Sequence, residues 1–210
     1  MDWEQWHHAY DDASSKRYLR LKVVQDRIRT WLDEAPDGPL KVVSICAGQG
    51  RDLLPVLATH ARAEDVSARL VETDPRNIEV GQAVATPAHV EYTRQDAGLA
   101  ASYVGMVPAD LVLVAGVLGN LRPDDAERTV EACAAWCKVG GVVIWTRHRE
   151  NPDPVPAICD GFERRGLHRM FLTEPEMAFT VGVHRQIRPP NPVTFERVFT
   201  FVGSDVLRRR

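Results

Sequence analysis

Long hydrophobic runs are missing from this chain. No apolar stretch approaches the ~20 residues that a membrane-spanning helix needs, so no membrane partner is expected. An excess of positive charge is missing too. The 26 Lys and Arg stand against 29 Asp and Glu, a formal net charge of -3, and no basic face stands out for a nucleic acid. Arg208, Arg209 and Arg210 are only a short basic tip, of the solvated kind that chain ends carry. The opening MDWEQWHHAYDD has neither the basic start nor the apolar centre of a signal peptide. Cysteine is sparse: Cys46, Cys133, Cys137 and Cys159 include no Cys-x-x-Cys pair. Cys133 and Cys137 lie one helical turn apart among apolar residues, which reads as core thiols in a reducing compartment rather than a metal site or a disulfide. These absences lead to the expectation of a cytoplasmic protein with no metal centre. Repeats, low-complexity tracts and linkers long enough to divide domains are also lacking.

What is there suits one domain with a real core: 210 residues, 44% of them hydrophobic. Leu21, Val24, Ile28, Trp31 and Leu32 recur at helical spacing, and the breaker EAPDGP at 34–39 ends that helix. Strand-like and helix-like segments then alternate. Strands are predicted at 40–46, 68–72, 89–93, 110–117 and 140–146, and helices at 51–62, 75–84, 123–138 and 155–165. Two late strands, 167–172 and 178–185, are joined by so few residues that they must form an antiparallel hairpin. Thr194 to Val202 reads as a further edge strand. The predicted organisation is a helical lid over 1–36, an α/β core over 40–186 with a doubly wound, mostly parallel sheet, and a tail over 187–210. In such sheets ligands bind beyond the carboxyl ends of the strands, where the strand order reverses.

The loops at those ends hold the candidates. After the first strand comes SICAGQGRDLL, in which Gly48 and Gly50 lack a β-carbon. A ligand can therefore lie against the backbone, with the next helix pointing its N–H groups at it. An ordinary turn is the plainer reading. Cys46, Ala47 and Asp52 share this loop. After the second strand, VETDPRN places Asp74 as the N-cap of a helix with Pro75 in its first turn. Glu72 is thereby left for both ribose hydroxyls of a nucleoside, with Thr73 beside it and Asp74 as the lesser alternative. After the third strand, Asp96 is a candidate for an adenine amine and the N–H of Ala97 for a ring nitrogen. Asp96 also suits a cap on the short helix that follows. Gly116 ends the fourth strand region.

Together these loops resemble the class I S-adenosylmethionine-dependent methyltransferases, from about Leu40 to Arg185 and including the late antiparallel hairpin. The family's glycine loop reads acidic-x-Gly-x-Gly-x-Gly. The matching run here is Ser44-Ile45-Cys46-Ala47-Gly48-Gln49-Gly50, so Ser44 stands at the acidic position and Cys46 at the first glycine. WCKVGGVVIW is similar to the family's turn into strand five, and ADLVLVAGVLGN to its fourth strand. The resemblance implies S-adenosylmethionine as cofactor, Glu72 on its ribose, Asp96 on its adenine, and methyl transfer to an O or N atom of a small-molecule acceptor. A general base is needed only for an acceptor that arrives protonated. His148 after strand five, Asn120 after strand four and Tyr10 in the lid are the candidates, each with a plain hydrogen-bonding or packing role as the alternative. Trp3, Trp6 and Tyr10 share one helical face, with His7 near it and His8 turned away, which suggests an aromatic acceptor. A nicotinamide-dependent oxidoreductase is the rival, but its fingerprint needs a small residue where Leu53 stands. A member of the fold that binds cofactor or a partner without turnover is the third reading, motivated by the altered glycine loop.

Overall fold

The apolar run beginning at Leu40 does form a strand, and the alternation that follows it builds one sheet. The structure, a computed structural model, describes residues 10 and 12–207. The strands are β1 (Leu40–Ile45), β2 (Val66–Glu72), β3 (His89–Arg94), β4 (Ala109–Val114), β5 (Cys137–Arg147), β6 (Leu167–Leu172) and β7 (Thr180–Gln186). Their spatial order is β3-β2-β1-β4-β5-β7-β6. The pairs from β3 through β5 are parallel, whereas β7 runs antiparallel to both β5 and β6. The strand order reverses between β1 and β4, so loops from both halves diverge there and leave a crevice.

Helices cover both faces, which is why the central strands β1 and β4 are mostly apolar on both sides. Along β4, Leu111 and Leu113 face one side, and Val112 and Val114 the other. Helix α1 (Lys16–Glu34) lays Val24, Ile28, Trp31 and Leu32 on the first side, with the short α2 (Leu54–Leu57) beside it. Helices α4 (Pro123–Trp136) and α5 (Val155–Arg164) cover the second, through Val130, Cys133, Ile158 and Phe162. Helix α3 (Pro75–Gln82) starts on the Asp74 cap, whose side chain accepts from the Arg76 N–H at 2.9 Å.

Four expectations change. The helix foreseen over 51–62 shrinks to α2. Pro55 has no N–H to close a turn onto the Arg51 carbonyl, and that carbonyl accepts instead from Gln25 Nε2 of α1 at 2.8 Å. Cys137 is no helix residue: it pairs with Ala109 and opens β5, and an irregular stretch separates it from Val142. The segment foreseen as an edge strand over 194–202 makes one isolated bridge, Leu99 to Arg197, and otherwise runs without strand pairing. Finally, α1 packs on the sheet as part of the core, so the helical segment described before β1 is a layer of the fold. Trp3, Trp6, His7 and His8 lie outside the described residues. The last helix, α6 (Ser204–Leu207), is a single turn.

Candidate active site

A cleft of about 650 Å3 opens at the carboxyl ends of β1, β2 and β4. Of the residues singled out from the sequence, Cys46, Gly48, Glu72, Thr73, Asp96, Ala97 and Gly116 line it. Ala47, Gly50 and Asp52 do not line it. Ala47 is turned back, its N–H bonded to the Val71 carbonyl at 2.9 Å, and Gly50 closes the turn by donating to the Ala47 carbonyl at 2.9 Å. Gly50 has φ +68, and a β-carbon there would stand 2.6 Å from both Leu54 Cδ1 and the Tyr92 hydroxyl. Its lack of a side chain therefore serves packing behind the loop. Asp52 lies behind as well, where burial pushes its carboxyl above the ordinary value, against the field of Arg20.

The loop is held by the carboxylate that the sequence assigns to ribose. Glu72 is buried, and its Oε2 accepts from the Gly48 N–H at 2.7 Å. Its Oε1 accepts from the N–H groups of Thr73 and Asp74, each at 2.8 Å. A carboxylate offers about four acceptor directions, so Oε2 keeps one for a ligand hydroxyl rather than the two that both ribose hydroxyls would use. The same bond turns the Gly48 N–H to Glu72. Gly48 takes φ +56 and Cys46 φ +51, the left-handed region. For Cys46 this is strained backbone, because an L side chain rarely sits there. Burial, aided by the charges of Glu72 and Asp96, drives the Cys46 thiol well above its usual range. The sulfur stays protonated and is no nucleophile.

At the other end of the cleft, Asp96 Oδ1 accepts from the Gly98 N–H and its Oδ2 pairs with Arg197, both at 2.8 Å. The first bond is the local turn foreseen as the alternative reading of Asp96. The N–H of buried Ala97 donates to no acceptor among the described residues and is left for a ligand in the cleft. Phe199 and Phe201, on the segment expected to be a strand, form the opposite wall. That segment is a strap across the sheet's carboxyl end. Ala100 N–H donates to the Glu196 carbonyl at 3.1 Å, Val198 N–H to the Gly98 carbonyl at 2.8 Å, and Val202 and Gly203 N–H to the Asn120 carbonyl at 3.0 and 3.1 Å. No sequence period marks this role, because the strap crosses loops instead of pairing along a strand.

Beyond Gly116 lies a second cavity of about 80 Å3, lined by Arg17, Arg20, Arg147, His148, Asn120 and Glu150 among others. Gly116 lines both cavities. Its N–H donates to Thr146 Oγ1 at 2.8 Å and its carbonyl accepts from Asn120 Nδ2 at 2.6 Å. Asn120 Oδ1 also accepts from the Ser204 N–H at 2.8 Å, so this side chain ties the strap to the β4 loop. His148 Nδ1 stands 3.2 Å from the Ala178 carbonyl oxygen, a contact made by an Nδ1–H tautomer. Tyr10 is buried and lines neither cavity; its hydroxyl accepts from Arg20 Nη2 at 2.8 Å. Arg20, Phe199 and Phe201 were not singled out from the sequence. Arg20 is one arginine in a helix that also carries Arg17, Arg27 and Arg29, and only its burial sets it apart.

No family model matches the chain, and no curated protein is similar to it in sequence. Solved structures are similar in fold. Magnesium protoporphyrin IX methyltransferase from Synechocystis PCC 6803, with bound S-adenosylmethionine, superposes with a TM-score of 0.63 at 14% identity, covering 88% of this chain and 90% of that one. The fold is that of the class I methyltransferases. The N-methyltransferase NodS from Bradyrhizobium japonicum WM9, in complex with S-adenosylhomocysteine, has a TM-score of 0.61 at 16% identity, covering 84% of this chain and 90% of that one. An rRNA methylase from Streptococcus thermophilus reaches 0.55 at 14% identity, covering 77% and 95%. One methyltransferase fold thus serves a porphyrin and an RNA, so the acceptor must be argued from the site.

Proposed function

We propose that this chain binds S-adenosylmethionine in the larger cleft and transfers its methyl group to an O or N atom of a small molecule that approaches from the side of the smaller cavity, in a reducing, cytoplasmic setting. One observation carries the reading. The cleft at the strand-order reversal offers a carboxylate acceptor at Glu72, an N–H donor at Ala97, and apolar walls at Val71 and Phe199. That set fits a nucleoside, with a hydroxyl on Glu72 Oε2, a ring nitrogen on the Ala97 N–H, and the base between Val71 and Phe199. Asp96 retains acceptor directions for an exocyclic amine beside its bonds to Gly98 and Arg197.

Bound S-adenosylmethionine supplies a methyl group already activated on a sulfonium, so the protein's task is alignment more than chemistry. Gly116 forms the wall between the two cavities, where its missing side chain leaves the acceptor a direct approach. Asn120 and Thr146 hold that wall by its carbonyl and its N–H. His148 is the candidate to take the proton from an acceptor that arrives protonated. The strap, anchored on Asp96, Gly98 and Asn120, keeps water from the base end of the cleft.

Calorimetry tests the reading. S-adenosylhomocysteine should bind with one site per chain while NAD and NADP give no heat of binding. Glu72→Ala should weaken S-adenosylhomocysteine by ~1–3 kcal/mol, the usual loss of a charged hydrogen-bond partner. Binding of NAD alone would replace this reading with an oxidoreductase.

A further inference from the structure

We propose that the smaller cavity is a head-group site for an oxyanion, a carboxylate or a phosphate carried by the acceptor, with Arg20 as its principal ligand. The inference rests on the methyltransferase reading for the word acceptor, but the anion site itself stands on its own observations.

Arg20 sits in the second turn of α1 and is only 8% exposed. A guanidinium buried without a counter-charge is costly. Among the described residues it gives one hydrogen bond, to the neutral Tyr10 hydroxyl, and enters no ion pair. Its fork holds five N–H donors, so most of its capacity is unused. Asp52 lies close enough to interact with its charge, yet burial favours that carboxyl's neutral form and weakens it as a counter-ion. Arg20 faces the cavity beside Gly116: its Nη2 lies 3.9 Å from where a β-carbon on Gly116 would be.

The surroundings have the same sign. Arg17 and Arg147 line the cavity with Arg20, against the single carboxylate of Glu150, in a chain whose net charge is -3. Glu150 is engaged on both its oxygens by Arg147, at 3.1 and 3.2 Å, which fixes Arg147 in place. A space of about 80 Å3 admits a carboxylate or a phosphate group but not a ring system. The remainder of the acceptor must then extend past Gly116 towards the cleft. Anchoring the anion on Arg20 would aim the acceptor atom at the methyl carbon, which is where orientation raises the rate. A planar carboxylate suits the guanidinium fork by two parallel bonds, and a phosphate does so equally.

The full chain is titrated by calorimetry with acetate, inorganic phosphate and neutral acetamide, at constant low ionic strength set with chloride, with and without S-adenosylhomocysteine. Acetate or phosphate should bind saturably at one site, and acetamide should not. Binding of only one of the two oxyanions assigns the acceptor's head group. Arg20→Met should lower oxyanion affinity by about 10- to 100-fold, as expected for a lost charged hydrogen-bond donor, while S-adenosylhomocysteine binds as before. Arg20→Met also leaves the Tyr10 hydroxyl without its donor, so circular dichroism and a thermal melt accompany the titration and the affinity is read on the folded variant. Should it fail to fold, Arg20→Lys is read in its place: it keeps the charge without the fork, and a severalfold loss supports the site whereas an unchanged affinity overturns it. The proposal is also overturned if neither oxyanion binds better than acetamide, or if Arg20→Met binds them like the wild type. Loss of S-adenosylhomocysteine binding with oxyanion binding intact would strike the methyltransferase reading and leave the anion site standing.

Discussion

At Cys46 a β-carbon occupies a backbone conformation that glycine takes more easily, φ +51, on the wall of the cleft. A left-handed conformation costs an L residue roughly 1–2 kcal/mol. Cys46→Gly removes that cost, but it frees the unfolded chain by ~0.4–1 kcal/mol and gives up the contacts of a thiol packed against the core. These effects nearly offset, so the variant's unfolding free energy in urea should lie within about 1 kcal/mol of the wild type. S-adenosylhomocysteine should bind equally or more tightly, since the side chain removed only narrows the cleft. A marked loss of affinity would mean that the sulfur itself touches the ligand. Its raised pKa adds a second readout: at neutral pH, iodoacetamide should label Cys46 far more slowly than a free thiol.

The strap depends on one contact at the scale of elements. A β-carbon added to Gly98 would stand 2.1 Å from the Phe199 carbonyl oxygen, a backbone atom with no rotamer to escape into. Gly98→Ala must therefore push the strap outward and break the Val198 N–H bond to the Gly98 carbonyl. Overpacking of this kind costs about 1–3 kcal/mol, and thermal melts should register it. Because Phe199 walls the cleft, S-adenosylhomocysteine affinity should fall as well. An alanine variant that melts and binds like the wild type would show that the strap plays no part in the site. Glycine was legible here only as a loop residue of TRQDAG; the chain that presses on it lies about 100 residues away in sequence.

For the whole molecule, stability should depend on pH through a histidine far from the site. His184 on β7 is buried under α5 between Trp145 and Phe162, and accepts from Trp145 Nε1 at Nδ1, 3.0 Å away. Burial, with smaller repulsion from Arg169 and His168, lowers its pKa to about 4. The unfolded state, titrating near 6.5, binds the proton first as pH falls. Between those two values the unfolded chain holds more protons, so stability is complete above about pH 6.5 and declines towards pH 4, by about 3 kcal/mol in full. Unfolding free energies measured across this window should show a shallower slope in His184→Gln than in the wild type. Parallel curves would show that the imidazole is not held neutral.

The sequence by itself determined what neighbours along the chain can decide. The apolar runs at Leu40 and Leu111, the Asp74–Pro75 helix start, and the short link between β6 and β7 each carry their own physics, and each stands as read. The fold class was therefore legible, as was the placing of Glu72, Asp96 and Gly116 at one end of the sheet. Only the tertiary structure decided what those residues do there. Whether Glu72 faces a ligand or ties down Gly48 depends on β1 and β2 lying side by side. Whether 194–202 pairs as a strand depends on the loops after β3 and β4 offering it bonds that no sheet edge matched. Arg20 became distinct from its neighbours on α1 only when the β4 loop closed over it at Gly116. A residue's type and spacing set its local conformation; its partners across the chain are set by strand order, and these decide which polar groups are satisfied and which are left for a ligand.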